Sequence, residues 1–267
     1  MTGLFDEGAG DLDSDAFQVK LDNDGVEMSF GAQRDGINGS MRMVSEQQNA
    51  AIDLLRLAVN RPRFDQEAVD RIRAQIFCGI IANEGDPETI AQRKWRRAIY
   101  GTHLYSRPDE GTKVSLAGIT PADLGAFHQA TFAPDGLHVA VVGHIDAKTV
   151  SDKLDQLFGD LREKQTLSPV ADVSAKLGQQ VEVNYDLPQT SLRLAFRGFK
   201  RSAPDFFPAE LMNEILGGSA FTSRLFDEVR EKRGLAYGVR SYLVDITSIL
   251  MRCWLRQRHA RTAPPRP

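Results

Sequence analysis

Arg230 and Tyr237 stand seven residues apart in "SRLFDEVREKRGLAYGV", residues 223–239, with Gly234 between them. Arginine offers a planar fork of N–H donors and tyrosine a phenolic O–H, so the pair could grip a peptide and donate to its carbonyl as negative charge develops there. The spacing alone leaves a plainer alternative open. Arg230 falls in the last turn of an expected helix, where a cation suits the helix dipole, and Tyr237 opens an expected strand, where aromatic residues are common.

Other groups that could do chemistry are scattered. The histidines are His103, His128, His138, His144 and His259, and none has a second histidine four residues away. Neither H-E-x-x-H nor H-x-x-E-H occurs, the spacings that set two imidazoles on one helix face to hold zinc. His144 follows an apolar run and Gly143 and is expected to be a loop histidine. There is no G-x-S-x-G elbow. "GGSAFTSR" (residues 217–224) has the glycines and hydroxyls of an anion nest but lacks the P-loop lysine, so it is expected to be a flexible helix entry. Cys78 and Cys253 are too few for a disulfide framework and have no metal-type spacing.

The chain has 267 residues, 42% of them hydrophobic and 26% charged, a globular mix with room for one or two cores. A formal charge of -3 gives no electrostatic case for nucleic acid or an anionic membrane. The longest apolar stretch, residues 137–143, is far shorter than the roughly 20 residues of a membrane span. The expected protein is soluble, periplasmic or cytoplasmic.

Which elements would position Arg230 and Tyr237? "VEMSFGAQRDGINGSMRMV" alternates about a polar turn and predicts a hairpin. Helices are predicted from Asp13 or Ser14, through "SEQQNAAIDLLRLAVN" up to Pro62, through "FDQEAVDRIRAQIFCGIIANEG", and through "PETIAQRKWRRAIY" to Gly101. Another starts at Thr120 with Pro121 in its first turn, and a further one follows in "DAKTVSDKLDQLFGDL". "LHVAVVGHI" is expected to be an apolar strand. Residues 166–179 are polar, contain Pro169 and are expected to be a linker. Beyond them come expected strands in "VEVNYDLP" and "SLRLAFRGF", a helix in "DFFPAELMNEILGG", a helix with Phe221, Leu225 and Val229 on one face, and the strand "AYGVRSYLV". The end, residues 251–267, is arginine-rich and proline-terminated; it is expected to be an atypical, disordered tail. The fold class is therefore α+β, as two tandem domains.

"GGSAFTSRLFDEVREKRGLAYGVRSYL" resembles the second-domain signature of the insulysin, pitrilysin and mitochondrial processing peptidase family. "EGAGDLDSDAFQ" and "WRRAIYGTHLYSRPDEGTKVSLAGITPADLGAFHQATFAPDGLHVAVVGHID" resemble its first domain. The resemblance runs from about Gly3 to about Val244. It implies two homologous domains with antiparallel-dominated sheets packed by helices: residues 1–165, a linker at 166–179, and residues 180–267 as the start of an incomplete second domain. It implies that Arg230 and Tyr237 bind substrate peptide beside a zinc site.

The metal half of that site is missing from the sequence. Active relatives carry H-x-x-E-H just before the position of "LFDEG", where this chain reads "MTGL". Their third ligand is a glutamate seven residues after another; here Asp65, Glu67, Asp70, Glu84, Asp86 and Glu88 are followed at that distance by Ile72, Ala74, Phe77, Ala91, Arg93 and Trp95. No catalytic residue and no metal ligand is therefore assigned. The resemblance implies a half-site subunit whose zinc sits on an H-x-x-E-H-bearing partner, with a homo-oligomer as the other assembly. A scaffold protein outside hydrolysis and an inactive gene fragment are the alternatives.

Overall fold

The computed structural model describes residues 1–187, 189–219, 221–244 and 250–258. The chain divides into two compact units, the first built from residues 1–81 and 110–169, the second from 82–109 and 170–267.

The first unit holds helices α1 (Ser14–Asp24), α2 (Gln48–Asn60), α3 (Gln66–Ala82), α5 (Lys113–Ala117), α6 (Pro121–Thr131) and α7 (Ala147–Phe158), and a hairpin of β1 (Glu27–Ala32) with β2 (Ile37–Arg42). Local chemistry sets the helix starts. The Asp13 carboxylate accepts from the Ala16 amide, Thr120 Oγ1 from Asp123 and Asp146 from Thr149, each satisfying an orphan N–H of the first turn. Ser45, the first residue of the segment predicted to be helical, lies in a short 3₁₀ turn leading into α2. The hairpin is antiparallel, pairing Glu27 with Arg42 and Ala32 with Ile37.

Phe17, Leu21, Ala51, Leu54 and Ala58 form one core cluster of this unit; Leu4, Phe64, Ala68, Val69 and Leu124 form another. The Asn60 amide ties α2 to α7, donating to Leu157 O at 2.8 Å. Residues 137–142, expected to be a strand, pair with no strand among the described residues, and Val142 is fully exposed. Apolar content alone does not make a strand without a neighbour to complete its ladder.

The second unit contains α4 (Pro87–Tyr100), α8 (Phe206–Asn213) and a sheet of β3 (Gln189–Arg197), β4 (Gly238–Val244) and β5 (Leu250–Arg258). The Asp86 side chain caps α4, with Pro87 in its first turn. The sheet order is β3–β5–β4 and both pairings are antiparallel. Half of the expected tail is therefore a central strand, because β3 and β4 both need a partner for their inner backbone groups. Residues 259–267, with His259, lie outside the described residues.

Residues 181–187, another expected strand, are irregular. The connecting segment is docked rather than loose: Lys176 N donates to Ile99 O at 3.0 Å, and Val173 and Ala175 pack on Ile99, Tyr100 and Tyr105. The fold class is α+β with small antiparallel sheets. Among the described residues no helix is long and apolar enough to cross a membrane.

Candidate functional site

The structure brings Arg230 and Tyr237 together. The Arg230 guanidinium carbon lies 4.9 Å from the centre of the Tyr237 ring and 4.6 Å from that of Phe226, so two aromatic rings share one cation. Tyr237 is 75% exposed, and Arg230 is half-buried beneath it.

Local backbone geometry produces this. The helix around Arg230 widens to a π turn over Phe226–Glu231, in which Lys232 N reaches back to Asp227 O at 2.9 Å. Widening shifts the register of the side chains. Phe226, rather than the expected Phe221–Leu225–Val229 face, supplies the large buried side chain; Phe221 precedes the helix, is exposed, and meets Phe226 edge-on at 5.3 Å. Gly234 then takes a left-handed conformation, φ 60°, its N–H on Arg230 O at 2.9 Å, and turns the chain toward β4. Tyr237 stands at the mouth of that strand.

The surrounding charges hold the turn. Lys232 pairs with both Asp227 and Glu228 at 2.7 Å, and Arg233 with Glu228 at 2.8 Å, which drops the Glu228 pKa below the usual carboxylate range. Arg230 Nε lies 3.5 Å from Glu231. Its terminal nitrogens make no hydrogen bond among the described residues, so the outer edge of the fork is available to a ligand.

Sequence reasoning missed Phe226, although its position four residues before Arg230 is the spacing at which helical side chains meet. It also missed a second widened turn packed on β4. A second π turn, Glu214–Gly218, packs against β4, and Gly217 lies so close that a Cβ there would sit 2.6 Å from both Ser241 N and Ser241 Oγ. Gly217 and Gly218 both keep negative φ, so they form no left-handed nest; Gly217 is there for close packing.

The remaining histidines do structural work or face solvent. His103 Nδ1 accepts from Tyr105 N at 3.2 Å, and its Nε2 donates to Ala171 O at 2.9 Å. His128 is buried, donates from Nε2 to Val59 O at 2.8 Å, and stacks on Phe132 at 4.7 Å. His138 and His144 are exposed. Among the described residues no group of three or more His, Cys, Asp or Glu is placed to hold a metal ion. Zinc needs three protein ligands and an open position, so the donor set of these residues does not fit it.

Residues 118–254 match the family described as the peptidase M16 inactive domain. The uncharacterized zinc protease YmxG of Bacillus subtilis is 28% identical over 204 residues, which cover 75% of this chain and 48% of YmxG. The chain thus spans about half the length of the curated relatives it matches. A crystal structure of a peptidase M16 inactive domain from Pseudomonas fluorescens superimposes with a TM-score of 0.89 at 29% identity, covering 96% of this chain and 63% of that one. A chain of complex III₂ from Candida albicans shares the fold at a TM-score of 0.69 and 14% identity, covering 97% of this chain and 61% of its own.

Proposed function

The chain belongs to the peptidase M16 family, and from that membership we propose that it is a non-catalytic, half-site subunit of a zinc peptidase. Arg230 and Tyr237 bind the substrate peptide and complete a site whose zinc is held by an H-x-x-E-H-bearing partner, in a heterodimer. We place two tandem peptidase-like domains at 1–165 and 180–267, joined by 166–179, with residues 82–109 of the first packed in the compact unit that holds the second.

The observation that carries this is the packing of the Arg230 guanidinium against both the Phe226 and Tyr237 rings. A guanidinium packed on aromatic rings keeps N–H donors for carboxylate or carbonyl oxygens of a peptide. The Tyr237 hydroxyl, on an exposed ring braced from below, donates to a peptide carbonyl oxygen as charge builds on it. An extended peptide is bound by backbone hydrogen bonds beside β4, as in other strand-addition modes.

The test is to purify the tagged chain from its source cells, identify the H-x-x-E-H protein that accompanies it, and assay the reconstituted pair on quenched fluorescent peptides. Zinc should be substoichiometric on this chain and stoichiometric on the partner. Tyr237→Phe should lower kcat by about 10²-fold, the lower end for removing one transition-state donor. Arg230→Ala should raise KM. Full activity in both variants, or one tightly held zinc on this chain, would sink the half-site assignment.

A further inference from the structure

We propose that the first unit carries a binding site for a small phosphate monoester, in a cavity of about 340 Å³ at the C-terminal end of α2, beside α6 and the residues following α7. The site is independent of the peptide-binding assignment above and uses none of its residues.

Charge is the first argument. Arg61, Arg63 and Arg162 line the cavity, and Asp160 is the only carboxylate among the lining residues. Asp160 is already taken by Arg56 at 2.5 Å, and Arg63 by Asp65 at 2.6 Å. The Arg61 and Arg162 side chains make no ion pair or hydrogen bond among the described residues. Two unpaired guanidiniums on one concave surface concentrate positive potential there, and their forks match phosphate oxygens.

The hydrogen-bonding pattern is the second. A helix C-terminus ordinarily repels an anion through its free carbonyls. Here three carbonyls of the last turns of α2 are occupied: Arg56 O by Asn60 Nδ2 at 2.9 Å, Leu57 O by Arg61 N at 2.8 Å, and Val59 O by His128 Nε2 at 2.8 Å. A phosphate monoester presents more oxygens and, as a dianion, more charge to Arg61 and Arg162 than a carboxylate does.

The walls favour an ester over free phosphate. His128 stacks on Phe132 and meets the edge of Phe64 at 6.1 Å, so the cavity has ring surface for a flat organic group. Burial pulls the His128 pKa below the usual imidazole value, which leaves that wall neutral.

Phenyl phosphate titrated calorimetrically into the full chain tests this, with inorganic phosphate as competitor and benzoate as the carboxylate control. The expected result is saturation at one site per chain, displacement by inorganic phosphate, and weaker binding of benzoate. Affinity should fall about tenfold or more in Arg61→Ala/Arg162→Ala, since each lost charged hydrogen bond is worth roughly a factor of ten. Arg240→Ala, an exposed arginine in the second unit, should bind as the parent does. Arg61 and Arg162 are both exposed, so the double variant should retain its far-ultraviolet circular dichroism. Absence of saturable heat, undiminished binding in the double variant, equal loss in Arg240→Ala, or benzoate binding as tightly would each overturn the proposal.

Discussion

Gly217→Ala probes the packing of the Glu214–Gly218 turn on β4, the strand that follows Tyr237. The added methyl would meet Ser241 N and Oγ at 2.6 Å and Leu225 Cδ1 at 3.0 Å. The first of these is backbone of β4, which cannot rotate away, so the π turn at Glu214–Gly218 must lift from the strand. Overpacking of this kind costs typically 1–3 kcal/mol, and a clash against backbone belongs near the top of that range. Relief of glycine's unfolded-state entropy returns only about 0.4–1 kcal/mol. The net expectation is a loss of about 2 kcal/mol, a fall in Tm of roughly 4–8 °C for a chain of this size. The control is Gly79→Ala in α3, where an added methyl meets nothing within 4 Å; helix propensity predicts a gain of about 0.5–1 kcal/mol. Thermal melts of both variants by circular dichroism, with urea titrations to check cooperativity, decide the matter. If the two substitutions moved stability in the same direction by similar amounts, the close approach of Gly217 to β4 would be refuted.

Two further outcomes follow from individual side chains. His128 has a pKa depressed by burial, so the unfolded chain binds its proton more readily. Stability should be constant above the ordinary imidazole value of about 6.5 and decline as pH falls from there toward the folded pKa. In His128→Phe that segment of a stability–pH profile should flatten, while stability at pH 8 drops by about 1–3 kcal/mol because Val59 O is left unpaired. Thr120→Ala removes the hydroxyl that accepts from Asp123 N at 3.2 Å and should cost about 1 kcal/mol in urea titrations. The same hydroxyl donates to the Asp123 carboxylate at 2.7 Å and is the largest cause of its lowered pKa, so carboxyl NMR should show Asp123 titrating closer to its ordinary value in the variant.

What the sequence disclosed was whatever neighbouring residues decide. Asp13, Asp86 with Pro87, Thr120 with Pro121, and Asp146 each mark a helix start because a cap is a contact across three residues. The hairpin was legible for the same reason. The alternation of β3 and β4 was legible too, but other strands were misjudged, because a strand exists by virtue of a distant partner. Residues 137–142 have the composition of a strand and no ladder, whereas Leu250–Arg258 looks like a basic tail and lies between two strands. At the candidate site the residue types of Arg230 and Tyr237 were legible. The third member, Phe226, was hidden by the π turn, which depends on how backbone amides choose between i−4 and i−5 carbonyls and leaves little trace in residue type.

That turn explains why the pair stands at a seam between helix and strand. Arg230 and Tyr237 are seven residues apart, two turns of an ordinary helix, yet Tyr237 lies beyond the helix and must be brought back over it. Gly234 makes the reversal, because its left-handed backbone lets the chain fold toward β4 within three residues. The widened turn places Phe226 beneath Arg230, and the reversal places Tyr237 against it. A lysine would not serve in that place: its ammonium is a point charge without faces, whereas a guanidinium can lie against aromatic rings and keep N–H donors free. Position is set by the backbone and orientation by the rings, so an exposed tyrosine and a cationic edge are held together chiefly by aromatic contacts.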